Sequence, residues 1–286
     1  MKTTVLFLSV LLTYSLVSCN NSGNNDLKVI TFNIRYDNPG DKINAWPNRE
    51  SIVCDFLSNE KPDLFGLQEA LWHQYEAIDA GITGYSSVVA GRDDGEKKGE
   101  TNPAFYNAEK FENVRQGTFW LSETPEIPGT RGWGASLPRI VSWLELKVKK
   151  TGKTLFYFNT HFAHDSDSAR IMSAGILLEK VKQITGDDDF VITGDFNMEP
   201  SSRAYDILTE PGKSTPFLID AYTISESPPE GPVQTFNGWS DTGGNRRIDY
   251  IFVKNGARVR SISTLTRKDG DIYISDHWPV RAIISF

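Results

Sequence analysis

Three of the chain's four histidines fall in short clusters that also hold an amide or a carboxylate: Asn159-Thr160-His161, with His164 just beyond, and Ser275-Asp276-His277. Gly194-Asp195-Phe196-Asn197 is a comparable cluster without a histidine. Asn33 and Glu69 end the apolar runs Ile30-Thr31-Phe32-Asn33 and Leu64-Phe65-Gly66-Leu67-Gln68-Glu69. One acid, Asp249 in Arg247-Ile248-Asp249-Tyr250, lies inside a run that otherwise favours burial. A buried carboxylate without a partner is costly, so Asp249 requires a cation or a donor such as His277. Each cluster alone reads as a turn after a strand. Together they offer only oxygen and nitrogen ligands, the set that a hard divalent cation and positioned proton transfer use. The two cysteines, Cys19 and Cys54, form neither a C-x-x-C zinc pair nor a disulfide framework.

These residues need a scaffold that brings distant strand ends together. Runs rich in β-branched and aromatic residues, bounded by Gly, Asn, Asp or Pro, predict strands over Lys28 to Asn33, Asp63 to Gln68, Val141 to Val148, Leu155 to Thr160, Asp189 to Thr193 and Ile248 to Val253. Phe156 and Phe158 alternate with Leu155 and Tyr157, so that strand is apolar on both faces and belongs in a covered sheet. Helical spacing follows Pro47 as far as Lys61-Pro62, begins again near Glu69, and runs from about Asp167 to Thr185 with Gly186 as its C-cap. Lys150-Thr151-Gly152-Lys153 reads as a hairpin turn. The expectation is a layered α/β sandwich with its chemistry in the loops at strand ends.

The chain has 286 residues, 39% hydrophobic and 23% charged, a globular composition with a net charge of −7. Residues 1–18 carry Lys2 and an apolar run from Val5 to Val17, too short to span a bilayer, and end before Cys19. The pattern reads as a lipoprotein signal peptide, with Cys19 lipidated and residues 19–26 forming a polar tether. Residues 27–286 are then one domain. Loss of Lys2 takes the net charge to −8, so the broad basic footprint of a duplex-DNA binder is absent. The stretch Arg92 to Lys98 mixes signs and reads as a solvated loop.

In order along the chain, Phe32-Asn33-Ile34-Arg35, Leu67-Gln68-Glu69, Asn159-Thr160-His161, Gly194-Asp195-Phe196-Asn197, Arg247-Ile248-Asp249-Tyr250 and Ser275-Asp276-His277-Trp278-Pro279-Val280 resemble the motif series of the endonuclease/exonuclease/phosphatase superfamily. The stretch from Gly117 to Arg139 resembles its bacterial secreted lipoprotein branch. The resemblance implies a four-layer sandwich, two mixed β-sheets face to face with helices on the outside. It also implies hydrolysis of phosphate esters with Mg²⁺, for which Mn²⁺ can substitute. On that basis Glu69 is the main metal ligand, with Asn33 and Asp276 near or on the metal. Asp195 orients or deprotonates the attacking water, and Asn197 holds the phosphate or the Asp195 carboxylate. His277, oriented by Asp249, bonds a non-bridging oxygen, and His161 contacts the scissile phosphate and can protonate the leaving group.

Two departures stand out. Relatives often place an acid where this chain has Ala163, and histidine where it has Asn237. Asp165 and Asp167 are available either to replace the missing acid or to cap the following helix, and capping is the favoured reading. Asn237 bears on substrate choice. Arg35 and Arg139 are candidates to clamp a phosphate or to form structural ion pairs. Trp133 and Trp239 are candidates to stack on a base or sugar, or to pack. His73 belongs on the surface, and Cys54 reads as a buried small residue. The expected protein is an extracytoplasmic, membrane-tethered, monomeric phosphoesterase. Its substrate class stays open between nucleic acid, sugar or inositol phosphate and lipid headgroup. The alternative is a binding or adhesion module that keeps the fold without turnover.

Overall fold

The computed structural model describes residues 26–210, 212–214, 216–242 and 244–286; the expected signal peptide, Cys19 and the expected tether before residue 26 lie outside them. The elements are β1 Leu27–Asn33, α1 Trp46–Glu60, β2 Leu64–Gln68, α2 Trp72–Gly81, β3 Tyr85–Val88, β4 Ala104–Asn107, β5 Phe111–Trp120, β6 Ile140–Val148, β7 Thr154–His161, α3 Asp167–Thr185, β8 Asp189–Asp195, α4 Arg203–Thr209, β9 Leu218–Asp220, β10 Asp249–Lys254, β11 Arg258–Thr264, β12 Lys268–Asp269, β13 Ile272–Tyr273 and β14 Val280–Ser285. Two six-stranded sheets result, in the orders β11-β14-β1-β2-β4-β3 and β5-β6-β7-β8-β10-β9. Each has one parallel pair, β1 with β2 and β7 with β8, among antiparallel neighbours.

Three apolar clusters define four layers. Val29, Leu64, Leu144, Leu155, Tyr157, Val191 and Ile251 fill the space between the sheets. Phe32, Val53, Leu57, Phe65 and Ile78 join α1 and α2 to the first sheet, while Phe156, Phe158, Leu177, Val181 and Phe190 join α3 to the second. The alternation along β7 therefore places Leu155 and Tyr157 inward and Phe156 and Phe158 under α3, the two-sided burial the sequence pattern predicts. Truncating such a side chain to Ala costs about 2–5 kcal/mol.

Helix ends depart from the sequence reading in two places. Helix α2 starts at Trp72 instead of near Glu69, because Glu69 adopts a left-handed φ of 62° and Ala70 pairs with Thr101. Ser166, neither of the two aspartates, caps α3 by accepting from the Ala169 N–H at 3.1 Å. Asp165 accepts from the Ser136 N–H and Asp167 pairs with Arg170.

Toward one pole the layer between the sheets turns polar. Gln68 Nε2 donates to Asn159 Oδ1 at 2.7 Å, Thr193 Oγ1 donates to the same oxygen at 3.0 Å, and Asn159 Nδ2 donates to the carbonyls of Leu67 and Pro103. Tyr157 and Thr193 share a 2.9 Å bond. All of these side chains are buried, and apart from Gln68 Oε1 their polar atoms are partnered, so the sheets are held by a hydrogen-bond frame where chemistry follows. Gly66 makes the approach possible, since a Cβ there would stand 2.2 Å from Asn159 Oδ1.

Candidate active site

The strand register assembles the cleft. His161 on β7 is paired with Asp195 on β8, and Asp195 with Asp249 on β10, so three functional groups from distant sequence lie side by side. From the other sheet come Asn33 at the end of β1, Glu69 after β2, and Asp276 and His277 in the loop before β14. Arg35, Glu69 and Asn197 all have left-handed backbones, with φ of 59°, 62° and 48°. Each costs about 1 kcal/mol or more, a strain that sharp turns back toward a cleft impose on residues kept for their side chains.

Arg49, fully buried on α1, fixes one side. Its guanidinium donates to the carbonyls of Asn44, Ile34, Arg35 and Ile274, tying the segment after β1 to the loop before β14. Ser275 Oγ adds a 2.6 Å bond to the Asn33 carbonyl.

Asp195 is the hub. Its Oδ1 accepts from the Asn197 N–H at 2.9 Å and its Oδ2 from Asn33 Nδ2 at 2.9 Å, with His161 Nε2 at 3.5 Å and His277 Nε2 at 3.8 Å. Burial, and after it the nearby Asp249 charge, push its carboxyl up to about 7. Asn33 Nδ2 also donates to Glu69 Oε1, while its Oδ1 accepts from the Arg35 N–H. The backbone thus sets the amide so that its nitrogen faces the carboxylates, and Asn33 ties Glu69 and Asp195 together.

The histidines have opposite surroundings. Burial alone would lower His277, but Asp249 Oδ2 at 2.8 Å from its Nδ1 raises it to about 10. His161 lies well below the ordinary imidazole range because of burial and the neighbouring Arg139 and Arg92. Asn197 Nδ2 donates to Phe162 O and to His161 Nε2 at 2.9 Å, so that nitrogen is an acceptor and the ring proton sits on Nδ1, which has no partner among the described residues. The Asn197 side chain therefore holds His161, while its backbone holds Asp195.

Glu100, which the sequence reading passed over, faces the cleft with Oε2 at 4.0 Å from His161 Nδ1 and 2.6 Å from Arg92 Nη1. Burial raises its carboxyl above the usual range against the pull of Arg92. Of the stretch expected to be solvated, Asp93 and Glu96 to Lys98 are exposed, while Arg92 at its start is buried against Glu100, two residues past its end.

Arg139 is buried against the cleft with Nη2 at 2.9 Å from His164 Nδ1, and its Nε and Nη1 are unpartnered among the described residues. Arg35 is instead engaged by Asp41 at 3.0 Å and by Glu69 and Asp276 at 3.8 Å each. Trp133 lies outside the cleft lining, and so does Trp239, which packs on Arg49 and Tyr273. Asn237 uses both ends of its amide on backbone, donating to Ser275 O in the loop before β14 and accepting from the Trp239 N–H of its own loop. Ala163 is buried, and the contacts of Asp165 and Asp167 turn them to other tasks than replacing an acid there. His73 is exposed beside Asp37, and Cys54 is half-buried with its thiol pushed up to about 11 by burial.

The donor set suits a hard divalent cation. Ligand atoms of Glu69, His161 and Asp195 lie within 4.8 Å of one another, as do those of Asp195, Asp249 and His277, and Asp276 adds a buried carboxylate whose pKa burial raises. The cleft itself is a recess of about 490 Å³. The loops carrying Glu100, Leu137 with Arg139, and Phe236 with Arg246 border it.

A fold of two mixed sheets with acids and histidines gathered at one pole defines a class, and residues 30–277 match the model of the endonuclease/exonuclease/phosphatase family. The chain belongs to that family, whose members are divalent-metal-dependent phosphoester hydrolases. It is similar to an endonuclease/exonuclease/phosphatase from Bacteroides vulgatus, with 37% identity, a TM-score of 0.86 and coverage of 91% of this chain and 99% of that one. It is also similar to a mannosyl-6-phosphatase from Bacteroides thetaiotaomicron, with 33% identity, a TM-score of 0.83 and coverage of 91% and 100%. The catalytic domain of human Nocturnin shares the fold, at 20% identity and a TM-score of 0.72 over 91% and 93% of the two chains.

Proposed function

We propose that this protein is a Mg²⁺-dependent phosphatase that removes the phosphate of a small, polar monoester of the sugar-phosphate type, outside the cytoplasm and tethered by lipid on Cys19. The observation that carries the reading is Arg139, a buried guanidinium with two nitrogens unpartnered among the described residues, in a half-open recess that Asp195 and His277 also line. A buried cation with idle donors is costly until an anion arrives. With a protonated His277 it offers the two positive contacts a monoester dianion needs. A recess of about 490 Å³ suits a small molecule, whereas a nucleic-acid strand calls for a groove flanked by basic and stacking side chains. The similar mannosyl-6-phosphatase supports the same substrate class.

Glu69 and Asp276 would hold the metal with Asp195 close by, and the metal would neutralise phosphate charge and the developing charge on the leaving oxygen. Asp195, held on both oxygens and raised to about 7, takes the proton of the attacking water. His277 keeps its proton and donates through Nε2 to a non-bridging oxygen, while Asp249 holds the ring. His161, neutral and fixed by Asn197, donates through Nδ1. This makes it a hydrogen-bond donor to the phosphate and a poor acid for the leaving group.

The test is turnover of p-nitrophenyl phosphate and of hexose phosphates against bis(p-nitrophenyl) phosphate and a single-stranded oligonucleotide, with Mg²⁺ and with EDTA. Monoesters should exceed diesters by about tenfold or more in kcat/KM, and EDTA should abolish both. A preference for the oligonucleotide would overturn the substrate class. Metal binding without turnover of any ester would make the protein a binding module.

A further inference from the structure

Strands β1, β7 and β8 run the same way through the sandwich, from a recess at one pole to the catalytic cleft at the other. Leu27, Thr154 and Asp189 at their starts line the recess, and Asn33, His161 and Asp195 at their ends build the cleft. The recess measures about 330 Å³. Its wall includes Phe111, Leu155 and Phe286, and Lys110, Lys149, Lys150 and Lys153 stand around it. Asp26 is matched by Arg260 at 2.8 Å and Asp189 by Lys254 at 4.0 Å, Glu109 is the third acid of the lining, Lys110 pairs with Asp63, and Lys149 donates to the Ala108 carbonyl. Asp26, where the tether enters the domain, lies on the same rim. The opposite pole gathers Glu69, Glu100, Asp195, Asp249 and Asp276. On a domain of negative net charge, four lysines stand, among acids that include Glu109, Asp187 and Asp188, at the end from which the N-terminal segment leaves.

We infer that the lysine-bearing pole rests on the headgroup phosphates of the membrane and that the cleft faces away from it, so the substrate is drawn from the aqueous phase and not from the bilayer that carries the anchor. This rests on the lipidation of Cys19 proposed above. Reach decides the matter. The eight residues of β7 separate the poles by about 23 Å, and the loops around the cleft add to that. From Cys19 to Asp26 the chain can span at most about 25 Å even fully extended. Turning the cleft onto the bilayer would use the whole tether along the side of the domain. Resting on the pole where the tether enters needs no extension and sets its lysines toward the headgroups. A phosphate carried on a headgroup of the same membrane is thereby out of reach, which removes one of the substrate classes left open by the motifs.

The test uses the full chain, processed and reconstituted in vesicles of phosphatidylethanolamine and phosphatidylglycerol that contain a headgroup nitroxide quencher. Fluorophores are placed singly at Thr151→Cys, on the lysine pole, and Ser136→Cys, at the cleft, each in a Cys54→Ala background. The Thr151 label should lose most of its emission and the Ser136 label almost none, and the double charge reversal Lys149→Glu with Lys153→Glu should reduce the Thr151 quenching. Turnover of soluble p-nitrophenyl phosphate should stay within about twofold of the unlipidated Cys19→Ser protein, while phosphatidic acid in the same vesicles stays intact. Equal or reversed quenching, or hydrolysis of phosphatidic acid at the soluble rate, would overturn the orientation, and an N-terminal peptide mass without lipid would overturn the anchor with it. Failure on every soluble ester would instead count against the phosphatase reading alone, since the quenching still reports which pole meets the bilayer.

Discussion

His161 and His277 face the same oxygen of Asp195, at 3.5 and 3.8 Å, and both are buried, yet they are driven to opposite charge states. On the His277 side the neighbours are Asp249, Asp195 and Asp276, and together they overcome burial. On the His161 side they are Arg139, Arg92 and two other histidines, and these add to burial. Equal desolvation with unequal neighbours gives one fixed cation and one fixed neutral ring, so the two walls of the cleft are specialised before any substrate enters. Asp195 stands between them as the group free to change its proton.

The largest break in that contrast comes from removing its middle member. Asp195→Asn should lower kcat by about a thousandfold or more with little change in melting temperature, read by steady-state kinetics and thermal unfolding. Next, Asp249→Asn strips His277 of the partner that holds its proton. The expected loss in kcat/KM is about a hundredfold, and the His277 NMR titration should fall from about 10 toward or below 6.5. Arg139→Met acts on the other wall. Monoester kcat/KM should drop about ten- to a hundredfold, more than diester turnover does, and the titration of His161 should rise as a neighbouring cation disappears.

A thermodynamic consequence follows from the same histidine. His277 binds its proton more tightly folded than unfolded, so its contribution to stability is fully present below about pH 6.5 and is lost as pH rises through about 10. Urea midpoints measured across that window should decline on the alkaline side in the wild type, and the decline should be shallower in His277→Asn. An unchanged slope would mean that the Asp249 contact does not hold the proton. The smallest effect is expected at Trp239→Phe, which should leave kcat/KM within about twofold because this ring packs on Arg49 and Tyr273 outside the cleft.

The same contrast marks how much was legible in sequence. Period and composition sufficed for β7, β8 and α3, where strong alternation or a helical stripe ran between clear stops. They missed β5, whose ten residues include Glu112, Arg115 and Gln116 on exposed positions and so carry little apolar signal. The six chemical clusters were readable because each placed a polar group beside an apolar run. Glu100 was not, since its meaning comes from a turn that returns it to Arg92 and from a histidine 61 positions away. The orientation of the amides was equally invisible: Asn33 presents nitrogen only because the Arg35 N–H claims its oxygen. Tryptophan in a Gly-bearing loop, as at Trp239, resembles a stacking platform until its neighbours are known.

The hydrogen-bond frame around Asn159 has a further consequence, for how the protein can change. Gln68, Asn159, Thr193 and Tyr157 lock the two sheets from beneath the cleft, and Arg49 locks the segment after β1 to the loop before β14. None of these bonds passes through Leu137, which hangs from the rim on a loop of its own, whereas the loop that carries both Phe236 and Arg246 is bridged to His277 and bonded to the Asp276 carbonyl. The Leu137 side of the rim can therefore change with the phosphate chemistry intact, while the Phe236 side is tied to it. A single methyl group at Gly66, far from any substrate, would instead push apart the strands on which both sides depend.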